Sequence, residues 1–160
     1  MIQLNATRKG LLTGAAMIIL TLLLYYTHLL DSPLTYLVYI IYSAGIIWSL
    51  TAFSKNTDEK KFSSFFSEGF KCFVIVTLMI VIFTWIFYKL YPEMISDMVE
   101  AGRKEMMQQK DYTPAEINEM SEQAQKYAVT MLTSVTIIKY LILGALITAL
   151  SGFFIIKRAN

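Results

Sequence analysis

Residues 72–88 read CFVIVTLMIVIFTWIFY, seventeen positions without a charge, a glycine or a proline. At a helical rise of about 1.5 Å per residue this run reaches roughly 25 Å before its flanks are added. The hydrocarbon core of a bilayer needs about 17 to 25 predominantly apolar residues. Working outward, three more stretches carry no charge: Leu11 to Leu30, Thr35 to Ser54 and Tyr140 to Ile156. All 14 Lys and Arg and all 12 Asp and Glu lie in the remaining chain, which has the charge density of a soluble surface. The average of 56% hydrophobic and 16% charged residues hides this segregation; soluble domains carry about 25% charged residues. Four buried helices in a soluble protein would need polar helices around them, and too little chain is left to supply those. The pattern predicts an all-α polytopic membrane protein with four transmembrane helices.

A cleaved signal peptide is the alternative for the first run, with Arg8 and Lys9 as its basic start. The run is longer than the usual apolar region of about 7 to 15 residues. Asp31-Ser32-Pro33 follows it without a small-x-small cleavage pattern. An uncleaved anchor is the better reading. The expected spans cover about residues 10–30, 35–54, 72–91 and 139–157 of a single membrane domain, 1–160. Residues 92–127 are inserted between the last two spans.

Orientation follows from Lys and Arg near the span ends. With four spans, both termini and the 55–71 segment share a side. That side holds Arg8, Lys9, Lys55, Lys60, Lys61, Lys71, Lys157 and Arg158 against Asp58, Glu59 and Glu68. The other side has Asp31 in a short loop and an acidic insert. Both termini are expected in the cytoplasm of a bacterium, with the insert outside the inner membrane.

The insert carries its own helix signals. Pro92 can open a helix, and Ile95, Met98, Val99, Gly102 and Met106 recur at helical spacing before Asp111-Tyr112 interrupts. Thr113-Pro114-Ala115-Glu116 supplies a capping hydroxyl, a proline at the first helical position and a carboxylate three residues after the cap. Ile117, Met120, Ala124, Tyr127 and Met131 then follow a coiled-coil seam. Two arms of about 18 residues, each about 27 Å long, predict an extracytoplasmic antiparallel helical hairpin between the third and fourth spans. On the inner side, Phe62, Phe65, Phe66, Phe70 and Phe73 alternate with Ser63, Ser64, Ser67 and Glu68. This stretch fits either an interfacial helix or the inner end of the third span.

Candidate site residues are few. Lys139 is the one ionisable group that an intramembrane role could claim. It precedes Lys157 by 18 positions, about 27 Å, so a lysine at the outer interface that snorkels is the plainer reading. Gly10 and Gly14, and Gly144, Thr148 and Gly152, form small-residue stripes that let helices approach closely, within one subunit or between copies. The methionines Met94, Met98, Met106, Met107 and Met120 follow helix seams, where they serve as flexible filler more readily than as copper ligands. One cysteine, Cys72, and one histidine, His28, exclude a disulfide framework and a Cys-based zinc site. No His-Glu-x-x-His, Gly-x-Ser-x-Gly or phosphate loop is present. Neither catalysis, a metal nor a cofactor is expected. The net charge of +2 gives no reason to expect nucleic acid.

Several of these features together carry a resemblance that covers nearly the whole chain. They are the two apolar hairpins, the Phe62 to Lys71 stretch opening the third span, Tyr91-Pro92-Glu93, the Met- and Gln-rich insert with Thr113-Pro114-Ala115-Glu116, and the closing Lys157-Arg158. The chain resembles the uncharacterised bacterial membrane family catalogued as domain of unknown function 4199. The resemblance implies a small four-span inner-membrane protein, common in Bacteroidota, with cytoplasmic termini, and carries over no catalytic residues. The leading expectation is an interaction or assembly protein acting through its external hairpin. Its partners would be the lipid bilayer, another copy of itself, or a membrane or periplasmic protein. The alternative is a small oligomeric channel or transporter.

Overall fold

A computed structural model describes residues 5–30, 32–57, 61–109 and 112–159. Asp31, the Asp58-Glu59-Lys60 charges, Lys110 and Asp111 lie outside them. The described residues form five α-helices and no strand: α1 (Ala6–Tyr26), α2 (Tyr36–Lys55), α3 (Phe62–Leu90), α4 (Pro92–Gln109) and α5 (Pro114–Ala159), with a short 3-10 turn at Pro33–Thr35 before α2. Four of the helical segments, Ala6–Tyr26, Pro33–Lys55, Phe62–Leu90 and Pro114–Arg158, are long and apolar enough to cross a membrane. The chain divides into two compact units, residues 1–80 with 137–160, and residues 81–136.

In the first unit α1 starts on Asn5, whose side-chain oxygen accepts the Arg8 amide at 3.0 Å. This satisfies one of the donors that every helix start leaves free. The helix stops at Tyr26, short of the Leu30 that the apolar run suggests. His28 adopts a left-handed conformation with φ of 56°. Its amide bonds Tyr25 O at 3.0 Å and the Leu29 amide bonds Leu24 O at 2.8 Å, the two closing bonds of a Schellman motif. Ser32 then accepts the Leu34 amide, and Pro33 sits at the first position of the 3-10 turn.

The core of this unit gathers Met17, Val38, Tyr42, Ile46, Leu50, Phe65, Phe73, Val76, Ile80 and Tyr140. Outside it the residue pattern of a water-soluble bundle is inverted. Ile19, Ile40, Leu146 and Phe154 are exposed, whereas Thr13, Ser49, Thr77 and Thr148 are buried. Apolar side chains turned outward on all four helices suit lipid and would be costly in water. The inner hydroxyls largely satisfy themselves by bonding the carbonyl four residues back, as Thr13 does to Lys9 O at 2.9 Å and Thr77 to Phe73 O at 2.8 Å. The phenylalanine stretch resolves in favour of the span: Phe62 to Phe73 belong to α3, and Phe65 is buried with its ring 5.2 Å from that of Phe53.

In the second unit α4 runs beside the start of α5. Arg103 donates to Asn118 at 2.9 Å and Gln125 to Ser96 at 3.2 Å. The seven-residue steps run in opposite directions along the two helices, so these segments are antiparallel. The start of α5 carries the capping box expected from Thr113 and Glu116. The Thr113 amide and hydroxyl both donate to Glu116 Oε2, at 2.7 and 2.8 Å, and the Glu116 amide donates to Thr113 Oγ1 at 3.3 Å. Ile95 and Ile117 are buried.

Candidate functional site

The small residues singled out in the sequence all meet neighbours within the chain. A Cβ at Gly10 would lie 2.8 Å from the Cys72 carbonyl oxygen, and one at Gly14 2.7 Å from the Met79 sulfur. The space a Cβ would need at Gly144 is taken by the Tyr42 hydroxyl and the Phe73 side chain. Thr148 fills the space over Gly69, and Gly152 faces the Phe65 Cβ at 3.5 Å. The two stripes therefore do not face each other. Both face α3, one side of which presents Cys72, Ile75 and Met79 to α1 and the other Phe65, Gly69 and Phe73 to α5.

Sequence reading missed the receiving partners Gly45, Gly69 and Tyr42. Thr13 fills the space over Gly45, as Thr148 does over Gly69. Each receptor is a single residue in a run without other punctuation, and only the facing helix reveals its use. Tyr42 is fully buried, and its hydroxyl donates to the Tyr140 carbonyl at 2.7 Å, tying α2 to α5.

Lys139 is exposed, with its ammonium 5.3 Å from the ring centre of Tyr39 and 5.4 Å from that of Tyr140. The two rings stack at 5.9 Å. An ammonium over aromatic faces is stabilised by their quadrupoles, by about 0.5–1 kcal/mol at an exposed site. The charge is thus held at the rim of the unit, away from the core.

A second polar group lies in the interior of the first unit. Lys9, counted from sequence among the charges at the membrane border, is 5% exposed. Its ammonium and the Glu68 carboxylate are both within electrostatic reach of the buried Cys72 thiol, which approaches Gly45 O at 3.9 Å. Glu68 also meets Lys71 at 3.9 Å. Ser49 Oγ and Thr148 Oγ1 are buried without a hydrogen-bond partner. Among the described residues no three His, Cys, Asp or Glu side chains converge where they could hold a metal ion.

The second unit carries an apolar groove of about 230 Å³ between α4 and α5, walled by Met98, Met106 and Met131 and floored by Gly102, Ala124 and Ala128. Gly102 alone among the seven glycines has nothing within 4 Å of an added Cβ. At the other glycines the absent side chain makes room for a neighbour in the same chain. Here it leaves open space. Met107 and Met120, from the methionine cluster seen in the sequence, are exposed.

A family model described as a protein of unknown function, DUF4199, matches residues 8–157. The chain belongs to the DUF4199 family. The match includes all four apolar helical segments almost whole, together with α4 and the groove. No curated protein and no solved structure matches the chain significantly. The DUF4199 assignment agrees with a four-span membrane protein, and its description leaves the role of the groove to be argued from the residues.

Proposed function

We propose that this DUF4199 protein is a non-enzymatic interaction or assembly protein of the bacterial inner membrane. In this reading both termini lie in the cytoplasm, and α4 with the start of α5 forms a hairpin outside the membrane that contacts a partner. The observation that carries the reading is the apolar groove on that hairpin, floored by Gly102, Ala124 and Ala128. An ordered pair of helices that leaves such a groove open is suited to receive something. Replacing residues 93–126 with a short linker is expected to abolish co-purification of a partner or to change the oligomeric state. Cross-linking and pull-down profiles identical to those of the intact protein would rule the reading out.

A small oligomeric channel or transporter is the second reading. The observation behind it is the polar interior of the first unit, where Lys9, Ser49 and Thr148 are buried. Purified protein in liposomes should then carry ions or solutes down an imposed gradient, and flux should fall when Lys9 is replaced by Met. No flux across a range of gradients removes this reading.

A further inference from the structure

We infer that the groove between α4 and the start of α5 takes an amphipathic helix with a basic polar face, supplied by another protein. The inference rests on the interaction reading above and specifies the occupant. Its first support is shape. The groove runs from Ile95 to Met106 on α4, eleven residue steps or about 17 Å. That is three helical turns, the reach of anchors at i, i+3 or i+4, and i+7 on a docked helix. Gly102 opens the floor where an anchor would enter, and a glycine inside a helix costs about 1 kcal/mol relative to alanine. The methionine walls are unbranched and polarisable, so they can adapt to the anchor's shape.

The second support is charge, and it separates the possible occupants. Residues 92–136 carry eight acids against four bases, a net charge of −4. Three of the cations are already engaged: Arg103 and Lys104 with Glu100 at 3.9 and 3.8 Å, and Lys126 over the Tyr127 ring at 5.2 Å. Glu93, Asp97, Glu105 and Glu122 form no ion pair with described residues. A second copy would bring the same negative charge against the first, and an anionic phospholipid headgroup would be repelled as well. A basic helix meets the unpaired carboxylates and fills the apolar groove together.

The test uses the full chain in nanodiscs of zwitterionic phosphatidylcholine and two fluorescent helical peptides of about 18 residues, roughly five turns. One peptide is built of Leu and Lys and the other of Leu and Glu, with the same apolar face. Binding is read by anisotropy against empty nanodiscs. The Leu–Lys peptide should bind saturably at one per chain, weaken with added salt, and lose at least about tenfold in affinity when Gly102→Leu fills the groove. The Leu–Glu peptide should not bind. Gly102→Leu must retain helicity and elution volume. Should it misfold, the surface set Glu93→Gln, Asp97→Gln, Glu105→Gln and Glu122→Gln should weaken Leu–Lys binding at low salt. Equal binding of both peptides overturns the inference, as does unchanged Leu–Lys binding in a folded Gly102→Leu or, in its place, the surface set. So does a dimer that the groove-filling variant dissolves, or a bound phospholipid that it releases. If the 93–126 deletion still removes a partner while the Leu–Lys peptide fails to bind, the interaction reading stands and only this occupant falls.

Discussion

His28 is the clearest case of a residue whose sequence position and structural task differ. In the sequence it is a lone histidine near the end of an apolar run. In the fold it occupies the left-handed position that closes α1, where a Cβ is unfavourable. His28→Gly should therefore raise stability by about 0.5–1 kcal/mol, measured by thermal unfolding in detergent. A loss of stability would mean that the imidazole makes a contact worth more than the strain. The glycines divide in the same way. Gly69→Leu drives a side chain into Thr148 between α3 and α5 and should cost about 1–3 kcal/mol. Gly102→Leu enters open space and gains helix propensity, so it should be neutral or stabilising by up to about 1 kcal/mol. Equal effects at the two positions would contradict the packing described for them.

At the scale of the element, the start of α5 is the part the sequence described best. The capping hydroxyl, the proline and the carboxylate act through bonds within four residues, so no distant packing is needed to predict them. Thr113→Ala should weaken this helix start by about 1 kcal/mol, seen as faster hydrogen exchange at Ala115 to Ile117. The two Thr113 hydrogen bonds, the amide first, hold the Glu116 carboxyl below its ordinary pKa. A group lowered on folding contributes stability that is present above its unfolded pKa and lost as pH falls through the folded one. Protection of the α5 start should therefore decline on acidification through the glutamate range and below. Glu116→Gln should flatten that decline, and an identical acid profile in the variant would count against the cap. The end of α1 was less legible, because helix propensity and hydropathy both continue past Tyr26 while a single φ angle at His28 stops the helix.

At the scale of the whole molecule, an even number of spans returns the chain to the side on which it began. Reporter fusions at the C-terminus are expected to report cytoplasm, and an epitope placed after Gln109 should be accessible from outside. The reverse result would invert the orientation argued from the basic ends. Lys139 gives a finer measure. With Cys72 replaced by Ala, Lys139→Cys should react with membrane-impermeant thiol reagents from outside only, since the native ammonium sits at an exposed rim over Tyr39 and Tyr140. Protection from both sides would place the residue inside the bilayer and restore the transport reading.

The sequence by itself determined that four helical segments of this protein are long and apolar enough to span a membrane, and where α5 begins. Those properties depend on hydropathy summed over a turn or more and on bonds between near neighbours. The tertiary structure alone decided that both small-residue stripes face α3, that Thr13 and Thr148 fill the spaces over Gly45 and Gly69, and that Tyr42 reaches the Tyr140 carbonyl 98 residues away. It also decided that Gly102 opens on a groove rather than on a neighbour. A glycine reads the same in sequence whether it is filled by a facing helix or left open, because the difference lies in atoms supplied by a distant part of the chain.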